Sequence, residues 1–513
     1  MTPQLTRVER IALAVGVLIV LALMWPIRDY LTDDTFIHLQ YARHLSNGHG
    51  LVFNPGERVY GCTSPLWVAL LADAMALGLD GLWMAKLFGM LAAVGSVGLF
   101  LQLMRRTVET PEIRALATIA WSSHAWMARW ATSGMETPLA VALILGGFVA
   151  FTEGKRWGAR PVRTGSLWAL AALTRPEAMW LLLLWVMFLL IETEDRFGLR
   201  RLISGTLPPL LIVGTWLLFA RIYFGTFWPQ TLAAKSAGVA TVSSHVDSIG
   251  QQILVIGATD GVLLALLFVS LLLGRVVRIS PANLAQRWLP WAWVFGLPAL
   301  YLARGVPVIS RYLLIVLPIL DWLAWRAADQ WWVGTQPSPA RRNRAIGLAA
   351  IVMLLVIAQN GFVYQRSVIP HVKSFTPALE SSLIRWGRWF KSHTPEGSVI
   401  AAPDIGAIGY FSERPVVDLA GLVTPRMVPH LVRQTPEEAV SSFAFASFAR
   451  PDYLVDRAPT ANALKRASRY GSALTPIGTA RMPNLGVARP LPVVYTFYQV
   501  DWAVFDSLRA TAR

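Results

Sequence analysis

Apolar runs of membrane-crossing length, separated by short polar stretches, set the pattern of this chain. A helix needs about 20 apolar residues to cross the hydrocarbon layer. By that ruler the sequence predicts about eleven transmembrane helices, over about 10–27, 82–104, 113–131, 138–153, 164–174, 177–191, 202–222, 249–273, 288–303, 307–325 and 345–364. The first run follows T-R-V-E-R and has the look of a signal peptide, but no small-residue cleavage site follows it, so it is kept as a helix. Residues 65–78 are apolar yet short and contain Asp73, which predicts a helix lying at the membrane interface.

A polar island from Arg28 to Pro65 interrupts the pattern. Thr32 is a candidate N-cap, and Ile37, Tyr41 and Leu45 fall one turn apart, so a helix is expected to open at Asp33. The N-G and P-G turns that follow enclose a short extended L-V-F. From about residue 367 the apolar runs shorten and turn signals multiply, in H-T-P-E-G, A-P-D-I-G and S-E-R-P. The expected fold is an α-helical polytopic membrane protein over residues 1–366, including an external loop at 28–64 and the interfacial helix at 65–78, with a small C-terminal α/β domain over 367–513.

Composition narrows the class. With 55% hydrophobic residues, 15% charged residues and 22 Trp, the chain is not that of a soluble domain of this size. The formal net charge of +16 would suggest nucleic acid in a soluble protein, but the Arg and Lys gather in short loops such as G-K-R-W-G-A-R-P-V-R and P-A-R-R-N-R. That is the positive-inside signal. If 65–78 does not cross, all these basic loops share the side of the N-terminus, which is then the cytoplasm. The polar island, the loop around Glu136, the loop from Tyr223 to Ser248 and the C-terminal domain fall on the extracytoplasmic side. The single cysteine, Cys62, excludes an internal disulfide.

Two adjacent carboxylates, Asp33 and Asp34, stand where the apolar core begins. There, ionised groups are costly unless they serve something. They suit deprotonation of an acceptor hydroxyl, or a divalent metal that steadies a phosphate leaving group. Asp34 and His38 are four residues apart and face the same way, but these groups are too few to specify a metal site, and no cofactor is certain. The simpler reading of the pair is charge complementing a helix dipole. The chain has no P-loop, G-x-S-x-G elbow or Cys/His cluster.

The run D-D-T-F-I-H-L-Q-Y-A-R-H-L-S-N-G-H-G-L-V-F-N-P-G-E-R-V-Y-G-C-T-S-P-L-W resembles the first external loop of polyprenyl-phosphate-dependent GT-C glycosyltransferases. Within them it is most similar to the bacterial arabinofuranosyltransferases that add terminal arabinofuranose in mycobacterial cell walls. Cys62 departs from the pattern where an aromatic is expected. The resemblance implies that Asp33 and Asp34 are catalytic and that His38 and Tyr41, on the same helix, line the substrate site. It also gives Glu136 the place of a second acidic residue on the next external loop. Arg175 and Glu177 lie between two short apolar runs as a structural ion pair or a donor contact; Glu177 reads as structural and Arg175 stays open. The run from Arg221 to Lys235 resembles a family loop and contributes Trp228, Gln230, where Asn is expected, and Lys235. Lys235, Arg304 and Arg311 are the candidates for the donor phosphate. Asp404 and Asp418, at expected strand ends, read as turn formers beside glycine.

The resemblance implies an enzyme of the plasma or inner membrane whose active site faces outward. It would move a sugar, in the first instance D-arabinofuranose, from decaprenyl phosphate to a hydroxyl of an envelope glycan. A polyprenyl-phosphate mannosyltransferase is the alternative within the class. A transporter is the alternative outside it, but the ionisable residues cluster at one face and no halves repeat.

Overall fold

The computed structural model describes residues 4–154, 157–191, 198–231, 242–272, 281–333, 338–486 and 491–511. The chain divides into two compact units: residues 1–29, 85–216 and 240–370 form one, and residues 30–84, 217–239 and 371–513 form the other.

The first unit is helical. Among the described residues, five helices are long and apolar enough to cross a membrane: Arg7–Ile27, Gly81–Thr107, Gly198–Phe224, Ser244–Leu272 and Pro339–His393. Shorter apolar helices, Thr137–Phe151 and Ala178–Ile191, lie among them in sequence. Large apolar side chains such as Leu18, Leu210, Ile253, Phe268 and Leu354 are exposed on these helices. In water such surface would be a liability; against lipid it costs nothing. The protein is a helical membrane protein. Its first helix begins with a capping box in which the Thr6 side chain accepts from Glu9 N and the Glu9 carboxylate accepts from Thr6 N. The Glu9 carboxylate is buried and pairs with Arg114, at 2.9 Å, and Arg105, at 3.5 Å.

Two expected helices are interrupted: the run at 307–325 forms Ser310–Leu313 and Leu317–Trp332, and the run at 113–131 is broken as well. The run at 113–131 forms two helices, Pro111–Ser122 and Ala125–Ala131, broken at Ser123 and His124. A break inside an apolar unit frees backbone groups that need partners. Asn360 supplies one of them, accepting from Ala125 N at 2.9 Å, and its amide also donates to Thr259 O of another helix at 2.8 Å. The His124 ring lies 3.4 Å from the buried Asp260 carboxylate. None of these partners is near in sequence, so hydropathy alone shows no break.

The second unit is built on a five-stranded sheet in the order β2-β1-β3-β5-β4. Its strands are β1 (Ile400–Ala402), β2 (Val416–Asp418), β3 (Tyr453–Ala458), β4 (Leu474–Met482) and β5 (Val493–Val500). β1 runs parallel to β2 and β3, while β5 is antiparallel to β3 and β4. Leu454, Leu474, Phe443, Phe445, Tyr470 and Phe505 form its core. Residues 30–64 belong to this unit rather than to the helices that flank them in sequence. Asn54 shows why: its amide donates to Val416 O at 2.9 Å and accepts from Val416 N at 3.0 Å. One side chain thus satisfies the open edge of β2 as a neighbouring strand would. Arg43 donates to Tyr410 O at 2.9 Å, and Phe36 meets Phe411 edge to face. The helix at Pro65–Ala76 has 12 residues, which is about 18 Å and short of a crossing.

Candidate active site

The helix Asp33–Ser46 opens after Thr32, whose extended backbone is that of an N-cap although its hydroxyl meets Thr35 Oγ1 rather than a backbone amide. Both oxygens of Asp33 are engaged: Oδ2 accepts from Gly406 N at 2.9 Å and Oδ1 from Ala407 N at 2.8 Å. These amides open the helix Gly406–Ser412, so Asp33 caps a helix almost four hundred positions away in the chain. Residue 406 has to be glycine, because a Cβ there would collide with the Asp33 carbonyl oxygen. Asp34 follows, half-buried at the head of the same helix.

A second acid stands close. Asp404 accepts two bonds from Arg457, at 2.8 and 2.9 Å, and one from Tyr495 OH at 2.6 Å. Burial, with like charge from Asp404 and then Asp34, pushes Asp33 up to about 7 against the pull of its two amide bonds. Burial also pushes Asp418 up to about 6, although its oxygens accept from Ala420 N and Val423 N.

Asp33 therefore titrates near neutrality. An acid raised from 3.8 to about 7 binds its proton more tightly in the folded state, so its contribution to stability is fully present below about 3.8 and is lost as pH rises through about 7. Between about pH 5 and about pH 7.5 the Tm of the protein is expected to fall more steeply than that of Asp33→Asn. Parallel Tm profiles would contradict this account of the contact.

The remaining expected site residues are distributed as follows. His38 is buried on the Asp33–Ser46 helix. Tyr41 is fully buried and donates to Val59 O at 3.2 Å, holding the loop's own fold together. Trp228 is 60% exposed, and Gln230 is tied to the loop through its backbone N–H, which donates to Tyr60 O at 2.7 Å. Lys235 lies outside the described residues. Among the described residues, no group of three or more His, Cys, Asp or Glu side chains is placed to hold a metal.

The helical unit brings other expected residues together. Arg175, 5% exposed, donates to Glu136 Oε1 and to Glu177 Oε1, both at 2.7 Å, and to Thr137 Oγ1 at 3.2 Å. Tyr301 OH donates to the same Glu177 oxygen at 2.7 Å. Arg311 stands 5.4 Å from the Tyr312 ring and 5.6 Å from the Trp130 ring. Arg175 lies 5.4 Å from the Tyr312 ring, and Arg129 lies 4.7 Å from the Trp130 ring. Three guanidinium groups thus share two aromatic rings. Arg304 is exposed. Arg129, buried in the helix Ala125–Ala131, is the member that sequence reasoning missed. Its signal was an arginine standing inside an otherwise apolar run.

Comparison with known structures shows the fold. The chain matches the crystal structure of ArnT from Cupriavidus metallidurans with a TM-score of 0.58 and 14% identity, over 94% of this chain and 97% of that one. The same protein bound to undecaprenyl phosphate matches with a TM-score of 0.56 and 13% identity, over 95% and 97%. The arabinofuranosyltransferase AftD from Mycobacteria matches with a TM-score of 0.53 and 17% identity, over 94% of this chain and 39% of that one. These neighbours are GT-C glycosyltransferases, and the chain has their fold.

Sequence similarity is more particular. A terminal beta-(1->2)-arabinofuranosyltransferase of Corynebacterium glutamicum is 32% identical in an alignment of 253 positions that covers 42% of this chain and 34% of that protein. A protein of the same name from Mycobacterium tuberculosis is 32% identical in an alignment of 234 positions that covers 41% of this chain and 35% of its own length. The chain thus spans about a third of the length of the curated relatives it matches. These relatives bear out the resemblance seen in the Asp33–Trp67 run. Residues 376–506 match a domain family described as a domain of unknown function, DUF8728.

Proposed function

We propose that this chain is a membrane glycosyltransferase that moves a sugar, D-arabinofuranose, from a polyprenyl phosphate to a hydroxyl of an envelope glycan on the extracytoplasmic face. The observation that carries the assignment of roles is the state of Asp33. Both its oxygens are held by backbone N–H groups, so it is the positioning residue that fixes the head of its helix, and the chemical step falls to its neighbour.

Asp34 takes the proton of the acceptor hydroxyl as that oxygen bonds to the anomeric carbon. The bond from that carbon to the phosphate oxygen breaks, and the electron pair leaves on polyprenyl phosphate. Negative charge then grows on the phosphate, where a guanidinium acts more strongly than in water. Arg129, Arg175 and Arg311, which gather around the Trp130 and Tyr312 rings, are the groups proposed for it. No step is routed through a metal.

Support comes from the fold shared with a protein solved with undecaprenyl phosphate and from relatives named for arabinofuranosyl transfer. The test is a choice of donor. Purified protein should use polyprenyl-phosphoryl arabinofuranose in preference to polyprenyl-phosphoryl mannose and should ignore nucleotide sugars. A preference for mannose would keep the class and reject the sugar.

A further inference from the structure

A π-helical turn at Glu380–Ile384 runs directly into the helix Arg385–His393. Across from it, β4 carries a bulge between Pro476 and Gly478. Each device inserts a residue and re-aims the side chains beside it, and such irregularities concentrate at functional positions. Both border one cavity of about 340 Å³, lined by Ser381, Arg385, Trp386 and Trp389 from the helix and by residues 478–481 of β4. That volume suits a small ligand.

The lining has a definite chemistry. Trp386 is seated by stacking on Phe497, with ring centroids 4.1 Å apart and planes at 12°. It can lie there because residue 478 is glycine; a Cβ would collide with the indole. Trp389 stands 5.2 Å from Trp386 at 55°, so the two indoles form an angled aromatic wall. The charged groups of the lining are Arg385 and Arg481, both exposed, and no acid joins them. Ser381 and Thr479 add hydroxyls.

Indole faces take the C–H face of a sugar ring, hydroxyls and guanidinium N–H groups answer its hydroxyls, and two guanidinium groups favour a carboxylate or phosphate substituent. An anionic lipid headgroup would use the arginines and leave the indole wall and the hydroxyls without a task.

We propose that this cavity, on the domain of unknown function, is a saccharide-binding subsite that holds a negatively charged unit of the envelope glycan. It is made of residues that take no part in the Asp33 site. The inference rests on the transferase reading only in naming the acceptor glycan as the source of the sugar.

The test uses the full chain in nanodiscs of neutral lipid. The probes are a galacturonate hexasaccharide, a neutral arabinofuranosyl hexasaccharide and phosphatidylglycerol vesicles, read by thermophoresis. The acidic oligosaccharide should bind more tightly than the neutral one. Trp389→Ala and Arg481→Gln should each weaken it at least tenfold, and Arg481 is exposed, so that variant keeps the fold. Both variants should keep transfer to a short soluble acceptor while KM for polymeric glycan rises. Undiminished binding by both variants, no oligosaccharide binding by the parent protein, or binding of the vesicles alone would overturn the subsite. If binding is lost in the variants but the parent transfers no sugar, the subsite stands and the transferase reading falls.

Discussion

Asp34→Asn is expected to lower kcat by about a hundred- to ten-thousand-fold, the range lost when a positioned general base is removed. The effect should fall on kcat, with KM for the donor little moved, because the carboxylate acts on the acceptor proton as the new bond forms. Asp33→Asn should behave differently. Its amide can present one oxygen to Gly406 N and Ala407 N where the carboxylate presents two. A buried N–H left unsatisfied costs about 1–3 kcal/mol. The Asp33 variant should therefore lose more Tm than the Asp34 variant and less kcat. Two identical profiles would show that the adjacent acids do not divide the work, and full kcat in Asp34→Asn would remove it from the chemical step.

Arg175→Gln should produce the largest loss of stability, about 3–5 kcal/mol, the range for breaking a buried ion pair by removing one partner. The reason is what stays behind: Glu136 is 3% exposed, and Glu177 loses the guanidinium while still accepting from the Tyr301 hydroxyl. Arg175→Lys should rescue little, since an ammonium is a point charge and the planar fork here reaches both carboxylates at once. Adding Glu136→Gln and Glu177→Gln to the Arg175→Gln variant should restore part of the lost Tm, because the uncompensated charge is then gone. A Tm for Arg175→Gln within a degree of the parent would refute the network's structural weight.

The helical character of the chain was legible because apolar runs of crossing length are a strong signal. The head of the Asp33 helix was legible too, in Thr32 and the i, i+4 stripe. What Asp33 does was not. Its partners, Gly406 and Ala407, are brought to it by tertiary folding, and a helix N-terminus in A-P-D-I-G-A-I-G carries no mark of a distant cap. For the same reason the loop at 28–64 was expected with the helices it follows, while Asn54 and Arg43 find their partners around β2 and the helix before it. Asp404 read as a turn former because Arg457 and Tyr495, which hold it, come from β3 and β5. The ion pair of Arg175 with Glu177 was visible at a spacing of two residues, but the link to Glu136 needed the fold.

The most direct measurement is product formation by the purified chain in nanodiscs, supplied with synthetic polyprenyl-phosphoryl D-arabinofuranose and an arabinan oligosaccharide and read by mass spectrometry. The account predicts an acceptor heavier by one pentose unit, with release of polyprenyl phosphate, from the parent protein and almost none from Asp34→Asn. An unchanged acceptor with both the arabinose and the mannose donor, from folded protein, would contradict it.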